Sequence, residues 1–189
     1  MAASTKTTAR IEKSAVAGKL SKLENIMRKI KVSKVTLNIG VGKNEEQLKK
    51  GLKLLQKIVP LTPVKTITKK RIPTWGLRPG LTIGCKVTVR KGAAELLRRL
   101  LVAKENVLSM KNFDSQGNFS FGIPEYIEIE GLEYDPELKI MGLEVAVTLE
   151  RPGYRIKKRK IKNSSLGGAH KITAEEAMAF VQKLGVEVN

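Results

Sequence analysis

From Leu81 to Arg90 apolar and polar residues alternate. Leu81, Ile83, Cys85, Val87 and Val89 fall on one side, and Thr82, Gly84, Lys86, Thr88 and Arg90 on the other. A period of two predicts a strand with one buried face. Residues 34–39 repeat the pattern, with Val35, Leu37 and Ile39 against Lys34, Thr36 and Asn38. So do Val145, Val147 and Leu149 against Glu144, Ala146 and Thr148. Residues 64–68 predict a short threonine-rich strand with Val64, Thr66 and Thr68 on its polar side.

Helical spacing fills the intervals. Val16, Leu20, Leu23, Met27 and Ile30 predict a helix over 14–30 with a basic outer side. Leu48, Leu52, Leu55 and Ile58 predict a second, capped by Asn44 and ended by Pro60 and Pro63. Ala93, Leu96, Leu97, Leu100 and Leu101 predict a third, opened by Gly92. A capping box from Thr173 to Glu176 starts the last, with Ala177, Phe180, Val181 and Leu184 inward. Gly40-Val41-Gly42 reads as a tight strand-to-helix turn. It is not a nucleotide loop: the third glycine is missing, and Lys43 is not followed by Ser or Thr. Residues 114–122 predict a turn cluster, with Phe113, Phe119 and Phe121 packed locally. Residues 107–113 give no clear signal.

Pro73, Gly76, Pro79 and Gly80 interrupt both periods, so 71–80 predicts a loop between two strands. Loops longer than about 12 residues inside compact domains are usually functional or disordered. This one carries Arg71, Arg78 and the only tryptophan, Trp75, expected exposed at the tip. Lys69 and Lys70 lead into it.

Charge changes the picture more than composition does. A net charge of +18 on 189 residues carries a self-repulsion that a polyanion would relieve. It is unevenly placed. Residues 1–92 hold 22 Lys and Arg against 4 Asp and Glu, residues 93–150 hold 5 against 11, and residues 151–189 hold 9 against 3. Such partition suggests different partners on different sides. No apolar run approaches the roughly 20 residues of a membrane span, so a membrane partner is not expected. The length suits one α+β domain over 14–189 behind a flexible tail, 1–13. One cysteine, Cys85, excludes an internal disulfide and suits a reducing cytoplasm. With one histidine, His170, and one cysteine, a Cys/His metal cluster is impossible. No cofactor or catalytic motif is present, so no enzyme is expected.

Together the strands offer a polar, aromatic-poor face of hydroxyls, amides and cations, backed by helices. Such a face can dock folded RNA by shape, reaching 2′-hydroxyls and phosphates without reading sequence. It is not a base-stacking platform, because stacking aromatics are absent from these strands. The basic block 151–162 is of the kind that tracks a phosphate backbone. A free-standing RNA chaperone or RNA-processing factor is the competing reading, and carboxylate-dependent RNA cleavage would mark it.

Four ordered blocks carry a family resemblance: NIMRKIKVSKVTLNIGVG (25–42), RIPTWGLRPGLTIGCKVTVR (71–90), NFSFGIPEYI (118–127) and LERPGYRIKKRK (149–160). They resemble the L5 family of large-subunit ribosomal proteins, which bind 5S ribosomal RNA. The ERPGYRI block and the EEAMAF ending are similar to the archaeal branch. The resemblance implies an α+β fold with a curved, largely antiparallel sheet and helices on one face. It implies a cytoplasmic, ribosomal protein that seats 5S rRNA in the central protuberance beside a neighbouring 5S-binding protein. It implies that the basic loop 69–80 reaches the P-site tRNA, and that the acidic region 125–150 faces a basic protein of the small-subunit head. Asn38 and Thr88 fall where the family centres its 5S contact; the glutamine that usually joins them is replaced by Leu61. The expected contacts to 5S and 23S-type rRNA are then Arg28, Lys29, Lys31, Lys34, Thr36, Asn38, Lys65, Thr66, Lys86, Thr88 and Arg90. Those in the basic segment 151–168 are Arg151, Arg155, Lys157, Lys158, Arg159 and Lys160. For tRNA they are Lys69, Lys70, Arg71, Pro73, Thr74, Trp75, Gly76 and Arg78.

Overall fold

The computed structural model describes residues 25–189. The expected tail, and most of the expected helix over 14–30, lie outside the described residues. At that helix's expected end the Asn25 side chain caps the Met27 amide, opening a single 3-10 turn, Ile26–Arg28. Strand β1 (Lys31–Gly40) begins soon after, earlier than the alternation suggests. Then follow α1 (Glu45–Ile58), β2 (Val64–Ile67), β3 (Thr82–Val89), α2 (Ala93–Ala103), β4 (Val107–Leu108) and β5 (Phe119–Ile123). The chain ends with β6 (Leu143–Glu150), the one-turn α3 (Arg155–Lys158), α4 (Ala174–Gln182) and β7 (Glu187–Val188).

The fold is α+β, as expected. Five strands form one sheet in the order β2-β3-β1-β6-β5. The pairs β1–β3, β2–β3 and β5–β6 are antiparallel. Strands β4 and β7 make a separate parallel pair. Contacts gather in two compact units: a larger one of Val32–Leu149 with Thr173–Asn189, and a smaller one of residues up to Lys31 with Glu150–Ile172.

In the larger unit β1, β3, β5 and β6 turn their apolar sides inward, while Val64 and Ile67 of the edge strand β2 stay exposed. Val35, Leu37 and Ile39 are buried with Cys85, Val87, Val89, Val145 and Val147. Full burial of one such side chain stabilises by about 1.5–3 kcal/mol. Asn44 caps α1 through the amides of Glu46 and Gln47. The inward stripe of α1 is Leu48, Gly51, Leu54, Leu55 and Ile58, with Leu52 only half-buried. Gly51 lets the helix approach the sheet: a Cβ there would lie 3.0 Å from Cys85 Sγ and 3.6 Å from Ile39 Cγ2. Helix α2 buries the five residues its spacing predicts. In α4 the capping box forms; Ala177 and Val181 are buried, while Phe180 and Leu184 are less so.

The turn cluster expected over 114–122 needs correction. Only its first part turns, closed by the Gly117 amide on Asp114 O. From Phe119 it is strand β5, with Phe119, Phe121 and Ile123 inward against Ser120 and Gly122. Serine and glycine on the open side hid this alternation. The phenylalanines pack locally as expected, with Phe113 and Phe119 rings 5.4 Å apart.

Cys85 is buried, and burial pushes its thiol up to about 11. The native protein should therefore resist iodoacetamide at pH 8 and react only once unfolded. Because the unfolded thiol ionises first, stability should fall as pH rises from about 9 to about 11. Alkylation followed by mass across that range checks both statements. Rapid native labelling at pH 8 would contradict the packing against Gly51.

The smaller unit buries little: among its described residues only Arg151 and Ile172 are buried. Polar groups close it instead. Arg151 Nε donates to Arg28 O at 3.1 Å, and Nη1 donates to His170 O at 3.3 Å and Lys171 O at 3.2 Å. Tyr154 Oη donates to His170 O and accepts from the Ile172 amide at 3.1 Å. His170 Nε2 lies 2.9 Å from Pro152 O.

Candidate nucleic-acid interface

Strand register builds the polar face. Thr36 lies opposite Thr88, and their hydroxyl oxygens are 3.3 Å apart. Asn38 lies opposite Lys86, which pairs on its other side with Val64. Gly84 separates Gly40 from Thr66 in the next row. Thr36, Asn38, Thr66, Lys86 and Thr88 thus share one face, as their alternation predicts, and Lys34 joins it by its place on β1. Arg90 is exposed just past the end of β3. Two residues depart from the pattern. Lys65 pairs with Cys85 and so points away from Thr66; it stays exposed because β2 is an edge strand. Thr68 is buried, and its hydroxyl donates to Leu81 O at 3.0 Å.

One contact on this face escaped the sequence. Asn38 Nδ2 donates to Glu144 Oε2 at 3.1 Å, across the β1–β6 junction. The alternation of β6 places Glu144 on its polar side, but nothing local says that β6 lies beside β1. The face therefore has a cationic half, β2-β3-β1, and a half of small residues with Glu144, β6-β5. Asn38, Gly40, Gly122, Gly142 and Glu144 line a shallow depression where the halves meet.

The basic loop is an ordered finger. At its base Thr68 N donates to Leu81 O at 2.8 Å and Gly80 N to Thr68 O at 2.9 Å. Farther out Ile72 and Leu77 exchange two backbone bonds, enclosing the 3-10 turn Pro73–Trp75. Gly76 closes that turn at φ +59°, in the left-handed region. Leu77 folds inward, whereas Trp75 is 69% exposed, as expected of the tip. Lys69, Lys70, Arg71, Pro73, Thr74 and Arg78 are exposed or half-exposed as well. Lys43, from the turn after β1, reaches this finger: a Cβ on Gly76 would overlap its Nζ and lie 2.8 Å from its Cε. Sequence spacing gave no hint of that approach.

The remaining expected RNA contacts belong to the smaller unit, and the structure sorts them. Arg151 is buried among backbone carbonyls and is not offered to a partner, which corrects its assignment as an RNA contact. Arg28 donates to Ala169 O, Arg159 Nε donates to Lys162 O, and Lys158 forms an ion pair with Glu150. Lys29, Lys31, Arg155, Lys157 and Lys160 are exposed.

Lysines of α1 partly neutralise the acidic region. Asp135 pairs with Lys57, and Glu137 with Lys53 at 2.9 Å. The Lys57 ammonium and the Glu137 amide hold the Asp135 carboxyl below its usual range, and Glu137 raises the Lys53 ammonium. Tyr126 Oη accepts from the Asp135 amide at 2.9 Å. Glu128, Glu130 and Glu133 remain exposed. Among the described residues no group of three or more His, Cys, Asp or Glu is placed to hold a metal ion, and no helix is long and apolar enough to cross a membrane.

Comparison with known proteins matches two family descriptions: ribosomal protein L5 over residues 25–78, and the C-terminal part of the same ribosomal family over 82–186. The large ribosomal subunit protein uL5 of Nanoarchaeum equitans is 48% identical over 169 residues, covering 88% of this chain and 99% of that protein. That of Sulfolobus acidocaldarius is 46% identical, covering 86% and 92%. That of Methanococcus vannielii is 42% identical, again covering 86% and 92%.

Proposed function

Because this chain belongs to the ribosomal protein L5 family, whose members are structural and not enzymes, we propose that it is a component of the large subunit of cytoplasmic ribosomes, holding 5S rRNA on its polar sheet face. The observation that carries this is the register bringing Thr36, Asn38, Lys86 and Thr88 side by side. Hydroxyls, an amide and an ammonium in adjacent rows suit phosphates and 2′-hydroxyls. Asn38 exchanges its Glu144 partner for RNA on binding.

The finger reaches the P-site tRNA, with its cations on phosphates and Trp75 against the nucleic-acid surface. Lys29, Lys31 and the exposed cations of 155–160 hold 23S-type rRNA. Glu128, Glu130 and Glu133 complement a basic protein of the small-subunit head. The neighbouring 5S-binding protein lies beside the same RNA.

Two variants divide these roles. Asn38→Ala with Lys86→Ala should weaken 5S rRNA binding about tenfold, as the loss of one or two polar contacts implies. Alanines at Lys69, Lys70, Arg71 and Arg78 should leave 5S binding unchanged and weaken tRNA binding to assembled subunits. Filter binding at several salt concentrations reads the first; tRNA retention on purified subunits reads the second. Collapse of 5S binding in the finger variant would refute this division of labour.

A further inference from the structure

We propose that Lys43, outside the finger in sequence, is one of its phosphate-binding residues, so that the tRNA-facing surface is built from two separate segments. This rests on the reading of the finger as a tRNA contact. Three observations carry it. The first is placement. The Lys43 ammonium lies against the bare face of Gly76, where a Cβ would overlap Nζ and come within 2.8 Å of Cε. A long, flexible cation thus rests on the one residue of the tip that leaves room for it, in a loop flanked by Arg71 and Arg78.

The second is the absence of an ion pair. Lys43 is in none of the ion pairs among the described residues. The carboxylates nearest in sequence, Glu45 and Glu46, are exposed and stand in no ion pair among the described residues, and none follows until Glu95. Lys53 and Lys57, which also cross between elements, are paired with the acidic loop. A lysine folded toward a loop of like charge raises the local repulsion, which a bound external anion would relieve. The ligand class is a phosphate of a polynucleotide backbone.

The third is rigidity. The turn carrying Lys43 is fastened to the finger's own strand, because Val41 N and Gly42 N both donate to Ile83 O at 3.0 and 3.1 Å. Ile83 belongs to β3, the strand that leaves the finger. The Lys43 backbone is therefore held relative to the finger's base, and the side chain has only to span to the tip. In the sequence the GxG turn before Lys43 falls short of a nucleotide loop; the fold brings the lysine to the finger instead.

The test uses large subunits assembled with variant protein and a tRNA transcript as probe, at constant magnesium and varied potassium. Lys43→Met keeps the side chain's length and removes its charge. It should weaken P-site tRNA binding about three- to tenfold and flatten the log–log salt dependence by about 0.7–0.9, the share of one phosphate contact. Lys43→Arg should restore both, and 5S rRNA binding by the free protein should not change. Weaker tRNA binding with an unchanged salt slope would make Lys43 a strut and overturn the proposal. Loss of 5S binding would overturn it too, by placing Lys43 with the sheet face. If Arg71→Ala with Arg78→Ala weakens tRNA binding and Lys43→Met does not, the proposal fails while the finger reading stands. If neither does, the finger reading itself fails.

Discussion

Gly84→Ala is expected to cost about 3 kcal/mol, the upper end of ordinary overpacking, and to lower Tm by roughly 6–12 °C for a chain of this size. The added Cβ would come within 2.5 Å of Ile39 O, 3.0 Å of Thr66 Oγ1 and 3.4 Å of Gly40 Cα. The first of these is backbone of the neighbouring strand and cannot rotate away. Strand β3 lies between β2 and β1, so moving off one presses it into the other. The row beside Gly84 holds Asn38 and Lys86, so 5S rRNA binding should fall together with stability. Calorimetric melting and RNA binding on the same preparation check this. Unchanged melting would mean that β1 and β3 do not approach as closely as described.

Arg151→Ala is expected to loosen the smaller unit by about 2–3 kcal/mol, because backbone carbonyls lose a charged donor. Its guanidinium donates to carbonyls of Arg28, His170 and Lys171, which lie on separate stretches of chain. Without it those carbonyls lose a charged donor and the stretches lose their tie. Amides of residues 26–31 and 168–172 should exchange much faster, while those of α2 keep their protection. Arg151→Lys should rescue only part of the loss, since one ammonium cannot span three acceptors as a planar fork does. Full protection in Arg151→Ala, with RNA binding reduced, would return Arg151 to the RNA-contacting surface.

That residue shows where sequence patterns stop. Arg151 opens a run of cations, and by composition nothing separates it from Arg155 or Lys157. What separates it is a pocket of carbonyls gathered from both ends of the described chain, Arg28 on one side and Lys171 on the other, which no local window contains. Strands β1, β3 and β6 were legible because alternation reports a half-buried face directly. Strand β5 was not, because glycine and serine on its open side resemble a turn. The polar face was legible residue by residue, but Glu144 entered it only through the β1–β6 pairing. Lys43 was legible only as a failed nucleotide motif, because its destination, Gly76, depends on how a long loop folds over. The exposed Trp75 followed from its place at the tip of a loop broken by proline and glycine, although Leu77, two residues on, is buried.

Strand β4 has a consequence for how the protein is made. Its partner is β7, where Val107 meets Glu187 and Leu108 meets Val188, and the Met110 amide bonds to Asn189 O. A translating ribosome delivers the first of these partners about eighty residues before the second. Until residues 187 and 188 are made, that edge stays unpaired. Such distant closure is slow compared with helix formation. Closure of β4 thus comes late in synthesis, and a chain cut short of residue 187 leaves that edge without its partner.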